Sequence, residues 1–179
     1  MENKLLTEQP KQQHKFIETK MTEPLQKVLA FFNDIGIAYQ LQPLAEPSFL
    51  AGVLIKNGGL CIDPEQLVQP GDLLHEAGHI AVMPTAQRHL LNDNVNESAN
   101  QGPAEEMAAI AWSWAALVHL NLPPEFLFHA DGYKGGSEAY IAAFSCGGGF
   151  GHPLLSWYGM CEPPGSADSY PQMKLWLRP

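Results

Sequence analysis

His75-Glu76-Ala77-Gly78-His79 reads H-E-x-x-H, and here the spacing of residue types dictates a chemistry. On a helix, residues four apart share one face, so two imidazoles at this spacing can chelate one metal ion. The glutamate beside the first histidine then lies next to the metal, where it can take a proton from an activated water. The motif counts only in a helix, and the flanking residues predict one. Pro70 suits a first turn, and Asp72 is the expected cap. Leu73, Leu74, Ala77, Ile80 and Ala81 form an apolar stripe at helical spacing, with His75 and His79 at its edge. Pro84 stops the helix after Met83. Gly78 inside the helix costs about 1 kcal/mol relative to alanine, which predicts that something packs closely against it.

Two imidazoles leave a catalytic zinc one protein ligand short, because such a site takes three protein ligands and keeps one position open. The extended pattern H-E-x-x-H-x-x-G-x-x-H fails, since Val82 and Thr85 occupy its last two defined positions. His89 lies in a polar segment. Glu105 and Glu106 open the next expected helix. Glu106 lies one turn before Ile110 and three turns before Leu117, on the edge of an apolar stripe. Glu105 aligns instead with Ala109, Trp112 and Ala116. Helical phase favours Glu106 and leaves Glu105 as the alternative. Either could also simply complement a helix N-terminus. A hydrolytic site further needs a donor for a developing oxyanion. His152, Tyr133, Tyr140 and His129 are the candidates, and His152, near a glycine-rich segment, is the expected donor.

The elements that must position these residues follow from pattern. Thr22-Glu23-Pro24 opens a helix with Leu25, Val28, Leu29, Phe32 and Ile35 on its apolar face, and Gly36 suits its C-terminal cap. Residues 37–42 alternate as a half-buried strand does. Residues 49–56 and 59–63 are further strand candidates, joined by the hairpin signal Asn57-Gly58. Residues 85–102 read as a long polar loop. A helix from Pro103 to about Leu120 buries Met107, Ile110, Ala111, Trp114, Leu117 and Val118. Pro124 to Phe128 could start a short helix, and a third long one spans about Ser137 to Ser145, broken by Gly147-Gly148-Gly149. Residues 151–179, rich in proline, are expected to be mostly irregular. Residues 1–20 are expected to be a flexible arm, and residues 21–179 a single α+β domain, with a small sheet or hairpin beside the two ligand-bearing helices.

These residues resemble the zincin metallopeptidases of the gluzincin type and, within them, the ImmA/IrrE-like family. That family places a strand or hairpin before an H-E-x-x-H helix and a ligand glutamate in an E-x-x-A segment opening the next helix. The matching residues are 49–63, His75 to His79, and Glu106-Met107-Ala108-Ala109, with Trp112 at a position usually aromatic. The likeness covers about residues 49–120. It implies His75, His79 and Glu106 as zinc ligands and Glu76 as general base. The chain departs from the family at Ile110, where an asparagine is usual, and at Leu120-Asn121-Leu122-Pro123, which replaces a Leu-Leu-Met-Pro ending. No helix-turn-helix signature accompanies it, so a regulatory role like that of some relatives is not implied.

Composition narrows the classes. Ten Lys plus Arg against nineteen Asp plus Glu give a net charge of −9, which argues against a nucleic-acid partner or an anionic membrane surface. No apolar run is long enough to span a bilayer, and residues 1–20 lack the apolar core of a secretory signal. Cys61, Cys146 and Cys161 are odd in number and contain no C-x-x-C pair, which suits a reducing compartment such as the cytoplasm. The expected function is zinc-dependent hydrolysis of a peptide or protein substrate. A non-catalytic metal-binding or interaction module on the same scaffold is the alternative, although such a module has no use for Glu76.

Overall fold

The computed structural model describes residues 21–45, 48–92, 102–147 and 149–179. The expected arm at 1–20 and half of the polar loop, residues 93–101, lie outside the described residues. Among the latter, six α-helices and one three-stranded sheet form an α+β arrangement. Helix α1 spans Glu23–Ile35. Thr22 caps it by accepting a hydrogen bond from the Leu25 N–H at 3.4 Å, and Gly36 closes it with φ of 82°, a left-handed conformation that glycine adopts without steric cost.

Strands β1 (Tyr39–Leu41), β2 (Val53–Lys56) and β3 (Gly59–Ile62) follow. Their order is β1-β3-β2, with β1 parallel and β2 antiparallel to β3. Asn57 and Gly58 have φ of 50° and 74°, the two left-handed residues that a tight hairpin of this twist requires. The second strand starts at Val53 rather than Phe49, because Ala51 and Gly52 turn the chain just before it.

Helix α2 (Asp72–Val82) carries the motif. Leu73, Leu74, Ala77, Ile80 and Ala81 are fully buried, so the predicted stripe is the face that holds this helix in the core, at about 1.5–3 kcal/mol for each large side chain. Asp72 does not cap it. Gly71 occupies that position, and no side chain caps this end. A Cβ on Gly71 would stand 1.7 Å from the Phe126 carbonyl oxygen, so glycine is what lets the distant segment around Phe126 pack onto the start of α2. The last turn is capped from elsewhere: Arg88 donates to the carbonyls of Ile80 (3.1 Å) and Met83 (3.2 Å), and Arg178 to that of Val82 (3.2 Å).

Helix α3 (Pro103–His119) is the central partner of α2. A short α4 (Pro124–Leu127), α5 (Ser137–Ser145) and α6 (His152–Trp157) complete the set. Apart from the short α6, residues 151–179 are irregular, as expected. Gly151 can sit on α3 only as glycine, since its φ is 83° and a Cβ would lie 2.2 Å from the Met107 carbonyl oxygen. The chain then returns to the core. The Trp112 indole donates to the Trp176 carbonyl at 2.8 Å, and Phe31 of α1 meets Trp176 edge-on at 4.9 Å. No helix among the described residues is long and apolar enough to cross a membrane.

Candidate metal centre

The site begins where α2 and α3 touch. A Cβ on Gly78 would stand 2.6 Å from the Ala109 carbonyl oxygen, so the expected close packing is a helix–helix contact. Ser113, fully buried, donates into the same seam, lying 2.9 Å from the Leu74 carbonyl and 2.7 Å from that of Ala109. Leu74 thus meets Ser113 while Gly78 meets Ala109, and the contact runs in opposite senses along the two helices. That register brings the first turn of α3 against the histidine face of α2.

Three donor groups converge there. His75 Nε2 and His79 Nε2 are 3.2 Å apart. Glu106 Oε1 lies 3.5 Å from the first, and Glu106 Oε2 lies 3.2 Å from the second. Tetrahedral zinc with bonds of about 2.0–2.1 Å separates its ligand atoms by about 3.3 Å, a spacing that the two imidazole nitrogens match and that each of them also keeps from a different oxygen of the Glu106 carboxylate. The three residues form a group that could hold a metal ion. His79 is buried, His75 nearly so, and the Glu106 side chain is 48% exposed, so the cluster opens on the glutamate side.

The charge states suit a cation. Burial, then the neighbouring His79, hold His75 down at about 4, against the opposing pull of Glu106. The Glu106 carboxyl is lowered: burial raises it, but the His79 hydrogen bond and the two histidines outweigh that. Near neutral pH the donor set is a neutral imidazole at His75 with a carboxylate at Glu106, and His75 need lose no proton to bind metal. Nδ1 of His75 is buried without a hydrogen-bond partner among the described residues. The ring is instead held by packing, edge-on to His79 at 4.8 Å and to Tyr133 at 6.1 Å.

Glu105 goes elsewhere. Its Oε2 accepts the Gly102 N–H at 3.0 Å, so it caps α3 while Glu106 faces the histidines. Glu76, half-buried on α2, is one of the negative charges acting on the Tyr133 hydroxyl. Burial pushes that hydroxyl far above its ordinary range, followed by Asp72, Glu106, Tyr140 and Glu76.

Of the oxyanion-donor candidates, Tyr133 therefore borders the cluster. His129 stands 3.1 Å from Asp72 Oδ1, and Tyr140 packs on Tyr133 at 5.0 Å. His152 begins α6, where its Nε2 lies 3.0 Å from the Glu162 carbonyl oxygen and its ring stacks on Tyr170 at 5.0 Å. The Asp72–His129 pair escaped sequence reading, because nothing in the spacing of residues 57 apart signals contact. Compared with family models, with curated proteins and with solved structures, the chain matches none, so the likeness to the ImmA/IrrE-like family rests on the motif residues alone.

Proposed function

We propose that the protein is a zinc-dependent hydrolase of peptide or related amide bonds, with His75, His79 and Glu106 as metal ligands and Glu76 as the proton carrier. The observation that carries this reading is the pair of imidazole nitrogens 3.2 Å apart, with one Glu106 oxygen 3.5 Å from His75 and the other 3.2 Å from His79, on a helix that also presents Glu76. Two imidazoles and one carboxylate leave a dication with net positive charge. A bound zinc ion would supply Lewis acidity at the carbonyl and lower the pKa of water to about 7. Glu76 then accepts the proton of the attacking water as its oxygen bonds to the carbonyl carbon. It delivers that proton to the leaving amine as the C–N bond breaks. Glu106 keeps the cluster's exposed side anionic and so favours the dication. The buried α2–α3 seam, fixed by Gly78 and Ser113, holds the donors in register.

Elemental analysis of purified protein, paired with the Glu76→Gln variant, tests this. Expected are about one zinc per chain in both and zinc-dependent hydrolysis of a peptide library by the parent only. A parent that holds zinc and cleaves nothing would favour the non-catalytic metal-binding module. A parent without zinc would remove both readings.

A further inference from the structure

Tyr133 reaches the cluster in an unusual way. It and Lys134 both have positive φ, 53° and 55°, a conformation that non-glycine residues hold only when their surroundings impose it. The surroundings are specific. Phe128 meets the Tyr133 ring edge-on at 4.9 Å and Tyr140 packs on it at 5.0 Å, while His75 closes the third side at 6.1 Å. The loop before it is tied to the metal-bearing helix. His129 Nε2 bonds Asp72 Oδ1 at 3.1 Å, and both side chains are largely buried. The His129 carbonyl accepts from the Ser137 hydroxyl at 2.6 Å and from the Gly132 N–H at 3.0 Å. The His129 ring lies so close over Gly132 that a Cβ there would be 2.8 Å from it. Moving His129 therefore moves Gly132 and, with it, Tyr133.

We propose that Asp72 and His129 form a clamp that sets the position of Tyr133 at the metal cluster, where its hydroxyl donates a hydrogen bond to an oxygen ligand held on the ion. Asp72 lies three residues before His75 on the same helix, so the clamp and the ligands move as one body. Tyr133 touches the ligand. Asp72 and His129 are positioning residues that act through it. This inference rests on the metal reading above but not on hydrolysis.

The test uses zinc-loaded full-length protein and acetohydroxamate, a small ligand that binds zinc through two oxygens. Zinc affinity and acetohydroxamate Kd are measured for the parent, Tyr133→Phe, Asp72→Asn, His129→Gln and each clamp variant combined with Tyr133→Phe. The phenylalanine keeps the ring against His75 and removes only the hydroxyl. It should raise the acetohydroxamate Kd about tenfold, as loss of a hydrogen bond to a charged group does, and leave zinc affinity within about twofold. Asp72→Asn and His129→Gln should each raise that Kd severalfold alone and add nothing in the Tyr133→Phe background. Additive effects, or a Tyr133→Phe protein that binds acetohydroxamate like the parent, overturn the proposal. Loss of zinc in Tyr133→Phe also overturns it, making the residue a mere support for His75. If Asp72→Asn fails to fold, His129→Gln carries the same comparison. A parent that binds no zinc sinks the metal reading and this inference together, whereas the preceding outcomes sink this inference alone.

Discussion

Two places in this molecule bring a histidine together with a glutamate and a tyrosine, and they are built to opposite ends. At the C-terminal one, each polar group has met a protein partner of the complementary kind. His152 Nε2 is bonded to the Glu162 carbonyl, the Glu162 carboxylate pairs with Lys174 at 2.8 Å, and the Tyr170 hydroxyl donates to the Ala111 carbonyl at 2.8 Å. At the α2–α3 seam the groups converge on one another instead. Two imidazole nitrogens and a carboxylate lie 3.2–3.5 Å from one another, and burial keeps His75 from taking up a proton. Partnered polar groups tie a segment down. Two imidazoles and a carboxylate brought this close make a group that could hold a cation.

The contrast breaks most decisively at Glu76. Glu76→Gln should lower zinc-dependent peptide hydrolysis by about two to four orders of magnitude, the usual range for a lost general base, with zinc content unchanged on elemental analysis. Equal activity in variant and parent would remove Glu76 from the chemistry.

Next in size is metal retention. His79→Ala should weaken zinc binding by at least about a hundredfold in a chelator competition, since losing a ligand exceeds the 10–100-fold typical of losing an outer hydrogen bond. Glu106→Gln should also lose zinc. Glu105→Ala should keep it and instead cost about 0.5–2 kcal/mol of stability, as loss of a cap does. Zinc loss confined to the Glu105 variant would reverse the assignment of the third ligand.

Acid sharpens the comparison without mutation. In metal-free protein the His75 pKa is lowered from 6.5 to about 4, so between those values the unfolded chain binds the proton that the folded chain refuses. Stability is therefore full above about 6.5 and falls as pH drops toward 4. Glu106, also lowered, contributes stability that is lost on further acidification through its folded pKa. Melting temperature measured against pH should show this decline in the parent, with a shallower slope for His75→Gln. Identical slopes would show that the buried imidazole does not govern acid sensitivity.

The smallest effect belongs to the other histidine. His152→Ala should leave zinc affinity and hydrolysis within about twofold and cost about 1–2 kcal/mol in denaturant unfolding, for one hydrogen bond and one ring stack. A large loss of activity with zinc retained would instead restore His152 as the oxyanion donor that its place near the glycine-rich segment suggested.

Much of the scaffold was legible because it is written in local periodicity. The apolar stripe of residues 73–81, the Thr22 and Gly36 caps and the Asn57-Gly58 turn are short-range signals, and the described helices and strands follow them within a few residues; in α3 residues 108–117 are buried on all sides, whereas Met107 and Val118 of the expected stripe stand exposed. The pairing of His75 with His79 was equally local, since i and i+4 share a helix face whatever the rest of the chain does. Helical phase favoured Glu106 as the ligand, yet its expected greater burial does not hold: Glu106 is exposed and Glu105 half-buried. Tertiary structure decided everything that needed two distant segments at once. Which glutamate faces the histidines depends on the register that Gly78 and Ser113 impose on two helices. Asp72 looked like a cap by position, yet Phe126 packs onto Gly71 and delivers His129 to the aspartate from 57 residues away. Tyr133 owes its place beside His75 to two strained backbone positions, and His152 owes its partners, the Glu162 carbonyl and the Tyr170 ring, to the return of the C-terminal chain. None of these has a sequence period. They arise from close approach of side chains and backbone in the packed core, where a single methyl group or a few ångströms of register decides which polar groups meet.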